Sequence, residues 1–144
     1  KMHANPPPEE IRALLRSARN IAVVGLSADP GRPSHQVARA MQRYGFKVFP
    51  VNPNLASPVL GERPYASVRE IPEPVDIVDV FRRSEAALGA AEDAVAAGAR
   101  ALWLQLGVVN EEAARLAAAK GLVVVMDRCI KVDYADLVAG LRER

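Results

Sequence analysis

The sequence predicts an α/β fold, a three-layer doubly wound parallel sheet of five strands, and three observations carry that expectation. Five short apolar runs rich in β-branched residues recur at 21–24, 47–51, 75–81, 101–105 and 122–126. Helical patterns separate most of them, and strands alternating with helices pair in parallel through right-handed crossovers. The runs are apolar throughout rather than alternating, as in a sheet covered on both faces.

Each element has its own signal. Residues 8–19 read as an amphipathic helix with Ile11, Leu14 and Leu15 inward. Val37, Met41 and Tyr44 recur at steps of four and three before Gly45, and Leu88, Ala91 and Val95 do the same before Gly98. Asn110 opens and Gly121 closes a further helix. Asp133 is expected to cap a last helix carrying Leu137, Val138 and Leu141 on one side. Between Pro53 and Pro74 the prolines and turn residues are too many for a full helix, which leaves a loop and a short helix near 67–71. The expected strand order is 3-2-1-4-5, in a single domain over 1–144 with residues 1–7 as a tail.

Composition narrows the function classes. A chain of 144 residues is one ordinary domain, and such a domain buries roughly 68–70% of its unfolded surface. The net charge is only +2, the Lys and Arg are scattered, and aromatics make up 5%, so the basic stripe of a nucleic-acid binder is missing. A lone cysteine, Cys129, excludes an intramolecular disulfide and a multi-cysteine metal site. A reducing, cytoplasmic setting fits. No apolar run approaches the roughly 18 residues that span a bilayer, and the N-terminus lacks a signal-peptide pattern, so no membrane partner is expected.

The stretch 21–34, IAVVGLSADPGRPS, carries the chemistry. An apolar strand ends at Gly25, and a helix opening near Ser34 would offer unpaired N–H groups and a positive dipole end to an anion. Its glycines, Gly25 and Gly31, are not spaced as GxGxxG. In an open α/β sheet the ligand lies outside the carboxyl ends of the strands, where strand order reverses. With the expected order that point falls between the loops at 26–33 and 106–110, flanked by Asn52 and Pro53 after the second strand and by Phe81 and Arg82 after the third. An NAD site places an acidic residue after the second strand; Asn52 and Pro53 stand there instead. An NADP site or a bulkier phosphorylated ligand, such as a 3'-phosphorylated ADP, stays open through Arg32.

Several motifs agree in order: VVGLSADPGRPSHQVARAM, GFKVFPVNP, VDIVDVFRR, ALWLQLGV and VVMDRCIK. Together, over about residues 10–138, they resemble the small stand-alone CoA-binding proteins, similar in fold to the CoA-binding domain of the succinyl-CoA synthetase alpha subunit. The resemblance implies a Rossmann-like domain that binds coenzyme A. It also implies residue roles. Gly25, Leu26 and Ser27 would bring donors to the diphosphate, with Arg32 and Ser34 completing the anion site and His35 beside it. Ser34 reads equally as a helix cap, Arg32 as a solvated loop charge, and His35 as a polar surface residue. Val51, Asn52 and Pro53 would wall adenine and its ribose. Phe81 and Arg82 would meet the adenine side or the pantetheine arm, and Gln105 the pantetheine amides, while Trp103 reads as core.

The synthetase works through a histidine in a second domain, and neither His3 nor His35 matches it, so its ligase chemistry is not carried over. HExxH, GxSxG and GxxxxGK[ST] are absent. Cys129, beside Arg128 and Lys131, reads as a small buried hydrophobe, its alternative being a mixed disulfide with a CoA thiol. Asp127 reads as a turn residue or a partner of Arg128. The expectation is a CoA or acyl-CoA binding or regulatory module without catalytic residues or metal ligands. The alternatives are an NADP-dependent oxidoreductase and a cofactor-sensing module that contacts a protein partner.

Overall fold

In the computed structural model, which describes residues 2–140, the strands are β1 (Asn20–Val24), β2 (Lys47–Val51), β3 (Ile77–Val80), β4 (Ala101–Leu104) and β5 (Val123–Met126). All pair in parallel. Helices α1 (Pro8–Ser17), α2 (Pro33–Arg43) and α5 (Ile130–Tyr134, widening into a π turn at Ala135–Ala139) cover one face. Helices α3 (Ala87–Ala96) and α4 (Glu111–Ala119) cover the other. The three-layer, Rossmann-like α/β class is as expected.

The strand order differs from the expected 3-2-1-4-5. It is β2-β1-β3-β4-β5, with Ile21 beside Ile77 and Val24 beside Val80. Two local causes produce it. Pro50 lies inside β2 and has no N–H for a second neighbour, which suits an edge strand. The outer side of that edge is closed instead by Tyr65, whose N–H donates to the Pro50 carbonyl at 2.9 Å while its own carbonyl accepts from Asn52 N–H at 2.9 Å. The β2–β3 connection, with a single 3-10 turn at Val68–Glu70, buries Val68 and Val75 on the α3/α4 face. A right-handed crossover on that face carries the chain in the direction of the later crossovers, back across β1.

Every residue of β3 and β4 is buried, and successive strand side chains divide between the two cores. Ile21, Val23, Val48, Ile77, Trp103 and Val125 pack toward α1, α2 and α5; Ala22, Val24, Phe49, Val78, Leu102 and Leu104 pack toward α3 and α4. In α3 the buried stripe is alanine, at 87, 90, 91 and 94, which lets the helix lie close to its neighbours.

The last helix begins earlier than expected. Cys129 is its N-cap, and Asp133 lies inside the first turn, 1% exposed. Its carboxylate caps nothing because it is taken by Arg128 in a two-pronged pair, 2.7 Å from Nε and 2.6 Å from Nη2. That pair holds the Arg128 guanidinium above its ordinary pKa. Leu141 lies outside the described residues.

The N-terminal segment is tied along the free edge of β5. Asn5 donates to the Met126 carbonyl (2.9 Å) and accepts from Met126 N–H (2.8 Å), and His3 Nε2 lies 3.0 Å from the Val124 carbonyl oxygen. Among the described residues no helix is long and apolar enough to cross a membrane, and no cluster of three or more His, Cys, Asp or Glu is arranged to hold a metal ion.

Candidate functional site

A cleft of about 850 Å³ opens at the carboxyl ends of the strands, within the size range of small-molecule sites. Because β3 lies beside β1, the switch point falls between the loops after these two strands, not between those after β1 and β4. Gly25 forms its floor. Its φ is +88°, and a Cβ there would stand 2.3 Å from the Phe81 carbonyl oxygen, so only glycine lets the β1 and β3 ends come this close. Phe81 N–H donates to the Val24 carbonyl and Gly25 N–H to the Val51 carbonyl, both at 2.8 Å.

The loop from Leu26 to α2 is held by its own side chains. Ser27 Oγ accepts from Asp29 N–H at 3.0 Å, and Asp29 Oδ1 from Gly31 N–H at 2.9 Å. Ser34 Oγ accepts from Ser27 N–H at 3.0 Å, and His35 Nδ1 lies 2.9 Å from the Ser27 carbonyl oxygen. Ser34 is therefore not the helix cap: Arg32 occupies the N-cap and Pro33 the first helical position. His35 is not a surface residue either, being 7% exposed. After these bonds, the N–H groups of Ala28 and Ser34 carry no hydrogen bond among the described residues, and Ser34 lines the cleft.

Gly25, Ser27, Arg32, Ser34, Phe81, Arg82 and Gln105, all singled out in the sequence, line the cleft. Leu26, His35, Val51, Asn52 and Pro53 do not. Leu26 and Val51 point into the core, at 0% and 3% exposure. The Asn52 side chain spans two loops, donating to the Leu26 carbonyl at 3.1 Å and accepting from Asn54 N–H at 3.0 Å. Pro53 is exposed beyond it.

Arg83, Leu106, Val108 and Cys129 also line the cleft; none was assigned to hold the ligand, although Leu106 and Val108 belong to the 106–110 loop expected to bound it. Arg83 carried a signal in its adjacency to Arg82, and Cys129 in its position after the fifth strand. Cys129 is half-buried rather than sealed in the core. Asp127 is the expected turn residue, in the left-handed region at φ 64°. Its Oδ1 accepts from Gly107 N–H at 2.7 Å, tying the β4 and β5 loops, and it is not the partner of Arg128. Trp103 is core, fully buried with its indole N–H on the Arg128 carbonyl at 2.8 Å.

The cleft is thus chemically two-sided. Arg32, Arg82 and Arg83 crowd the β1 and β3 loops; among the described residues Arg32 and Arg82 have no ion-pair partner, and Arg83 meets only exposed Glu85 at 4.0 Å. Toward β4 and β5 the lining is neutral: Gln105, Leu106, Val108 and Cys129. Such a site suits a ligand with a polyanionic end and an uncharged arm. Beneath it, outside the lining, Asp79 on β3 is fully buried with neither carboxylate oxygen hydrogen-bonded, and burial pushes its pKa well above the ordinary value.

The chain is 47% identical over 131 residues to the protein YneT of Bacillus subtilis (strain 168), covering 91% of this chain and 96% of that protein. A solved structure of a protein from Pyrococcus horikoshii OT3 superposes with a TM-score of 0.90 at 32% identity, covering 96% of this chain and 99% of that one. A 60-residue stretch is 43% identical to the alpha subunit of acetate–CoA ligase [ADP-forming] II of Pyrococcus furiosus, covering 41% of this chain and 13% of that subunit. The CoA binding domain model matches residues 19–135, and the chain belongs to that family.

Proposed function

We propose that the cleft binds coenzyme A or an acyl-CoA, and that the chain serves as a binding or regulatory module with no chemistry of its own. One observation carries the reading beyond family membership. A cleft floored by glycine has three arginines on one side, none of them in a close pair with an acid among the described residues, and a neutral wall on the other. Coenzyme A has that same division, a nucleotide with three phosphates joined to an uncharged pantetheine arm.

In this reading the N–H groups of Ala28 and Ser34 take the diphosphate, with the Ser27 and Ser34 side chains and His35 holding their loop in shape. Arg32 takes the 3'-phosphate. Adenine lies toward Val51, Asn52 and Pro53, which the Gly25–Val51 hydrogen bond sets beside the cleft floor. Phe81 and Arg82 border the start of the arm, and Gln105 its far part. Asn52 offers no carboxylate to an NAD ribose, and its amide is already engaged on both sides.

Calorimetric titration with CoA, dephospho-CoA and NADP tests the reading. Wild-type protein is expected to bind CoA most tightly. Arg32→Ala should weaken CoA by about tenfold or more, the usual worth of a charge-assisted hydrogen bond, while leaving dephospho-CoA nearly unchanged. Equal losses for both would move Arg32 to the diphosphate. Tight NADP binding without CoA binding would reject the function in favour of a nicotinamide oxidoreductase.

A further inference from the structure

We propose that Gln105 makes the cleft selective for CoA thioesters over free CoA, by donating a hydrogen bond from Nε2 to the thioester carbonyl oxygen; this rests on the coenzyme A reading above. Gln105 lies just past the end of β4 and is only 4% exposed, yet it lines the cleft. Its Oε1 accepts from Ile130 N–H at 3.0 Å. That bond decides which way the amide faces, since the oxygen must meet the N–H and the NH2 group is left over. Nε2 has no partner among the described residues and is not sealed from solvent, so it remains open to what occupies the cleft.

The same bond fixes where along the ligand this donor sits. Ile130 follows Cys129, so the carboxamide head lies at the β5 end of the cleft, on the far side from Gly25 and Arg32. From β1 to β5 are three strand spacings of about 4.8 Å, or roughly 14 Å. A pantetheine arm leaving the diphosphate at Gly25 and crossing β3 and β4 therefore brings its sulfur end, rather than its first amide, to Gln105. A free thiol is a weak acceptor, whereas a thioester carbonyl is a proper one. A donor already buried and oriented loses little further freedom when it binds, which makes it a discriminating contact.

What the acyl group would meet agrees with this assignment. Leu106, the next residue, lines the cleft and is 71% exposed, and Val109 on the same loop is 46% exposed. Leu106 and the lining residue Val108 offer apolar surface beside Gln105, suited to a short aliphatic acyl chain.

The experiment compares acetyl-CoA with S-ethyl-CoA, a thioether of nearly the same size that lacks only the carbonyl, with free CoA as the reference for the site itself. Wild-type protein should bind acetyl-CoA about three- to tenfold more tightly than S-ethyl-CoA, the range of one net hydrogen bond. In Gln105→Glu, which keeps the acceptor for Ile130 N–H but loses the donor, and in Gln105→Met, the ratio should fall to about one. A wild-type ratio of one alongside normal CoA binding overturns this inference and leaves the coenzyme A reading standing. A ratio that survives in both variants also overturns it, as does an equal loss for all three ligands, which would assign Gln105 to a pantetheine amide. Failure of all three to bind the wild type overturns both readings. The wild-type ratio is measured without any variant, so a substitution that unfolds the chain does not remove the test.

Discussion

Asp79 stands in the middle of β3 between Val23 on β1 and Trp103 on β4, with both carboxylate oxygens sealed from water and unpaired. Ionising it there would leave an uncompensated charge in an apolar layer, so burial pushes its pKa well above the ordinary value and favours the neutral acid. The unfolded chain releases that proton near the ordinary carboxylate pKa, and the folded chain keeps it to higher pH. Between those two values the native state binds more protons, and stability falls as pH rises. Asp79→Asn removes the titration. Urea unfolding from pH 4 to pH 8 should therefore show the variant gaining on the wild type as pH rises. Parallel curves would mean that Asp79 is neutralised in some other way. At this scale the sequence was only partly legible. Gly25, Arg32 and Gln105 could be read because a strand end and a charge or amide beside it select a cleft residue whatever the packing. Asp79 could not, since one polar residue within VDIVDVF says nothing of what faces it. Leu26, His35 and Asn52 sit in the same motifs as true cleft residues but turn inward, because hydrogen bonds within and between the loops, invisible in the spacing, decide their direction.

The two edges of the sheet are closed by different devices. At β2, Pro50 withholds a donor and Tyr65 occupies the outer side; at β5, the side chains of Asn5 and His3 take backbone groups that would otherwise be exposed. Asn5→Ala should cost about 1–2 kcal/mol in urea unfolding, since it removes two hydrogen bonds to one residue. It should also speed amide exchange at Met126, whose N–H loses its acceptor. Unchanged exchange at Met126 would show that this edge needs no such cover. Strand existence was legible from short apolar runs, but strand order was not obtained from alternation alone. Both 3-2-1-4-5 and 2-1-3-4-5 satisfy right-handed crossovers, and they differ only in the face taken by the β2–β3 connection. A clue was present nonetheless. A proline inside a strand excludes a second neighbour on the side of its missing N–H, and Pro50 argues for β2 at the edge. The start of α5 was misplaced for a related reason. Asp133 has the chemistry of a cap, but its pairing with Arg128, five residues back, becomes apparent only once both are folded against α1.

For the whole molecule, the cleft is one unit because the carboxyl-end loops are tied to one another as well as to their strands. Asp127 holds Gly107, Gln105 holds Ile130, and Ser84 Oγ accepts from Val109 N–H at 2.9 Å while Asn110 Nδ2 donates to the Ser84 carbonyl at 2.9 Å. A ligand that binds only the folded state at a hundred times its Kd adds about 2.7 kcal/mol to unfolding, a term that slows exchange everywhere exchange requires global opening. Exchange through local opening responds separately and reports where the ligand is. With CoA, additional protection should appear in the loops at 25–34, 81–86, 105–110 and 127–130, which belong to four different strands. The turns at the opposite end of the sheet, at 45–47, 74–76, 98–101 and 121–123, should show no local gain. Protection confined to the 25–34 loop would mean that the ligand engages the phosphate side alone, and the β4 and β5 wall with Gln105 would then have no part in binding. Protection reaching all four loops requires a ligand long enough to cross from β1 to β5, which separates coenzyme A from a simple phosphate or a mononucleotide held at the arginines.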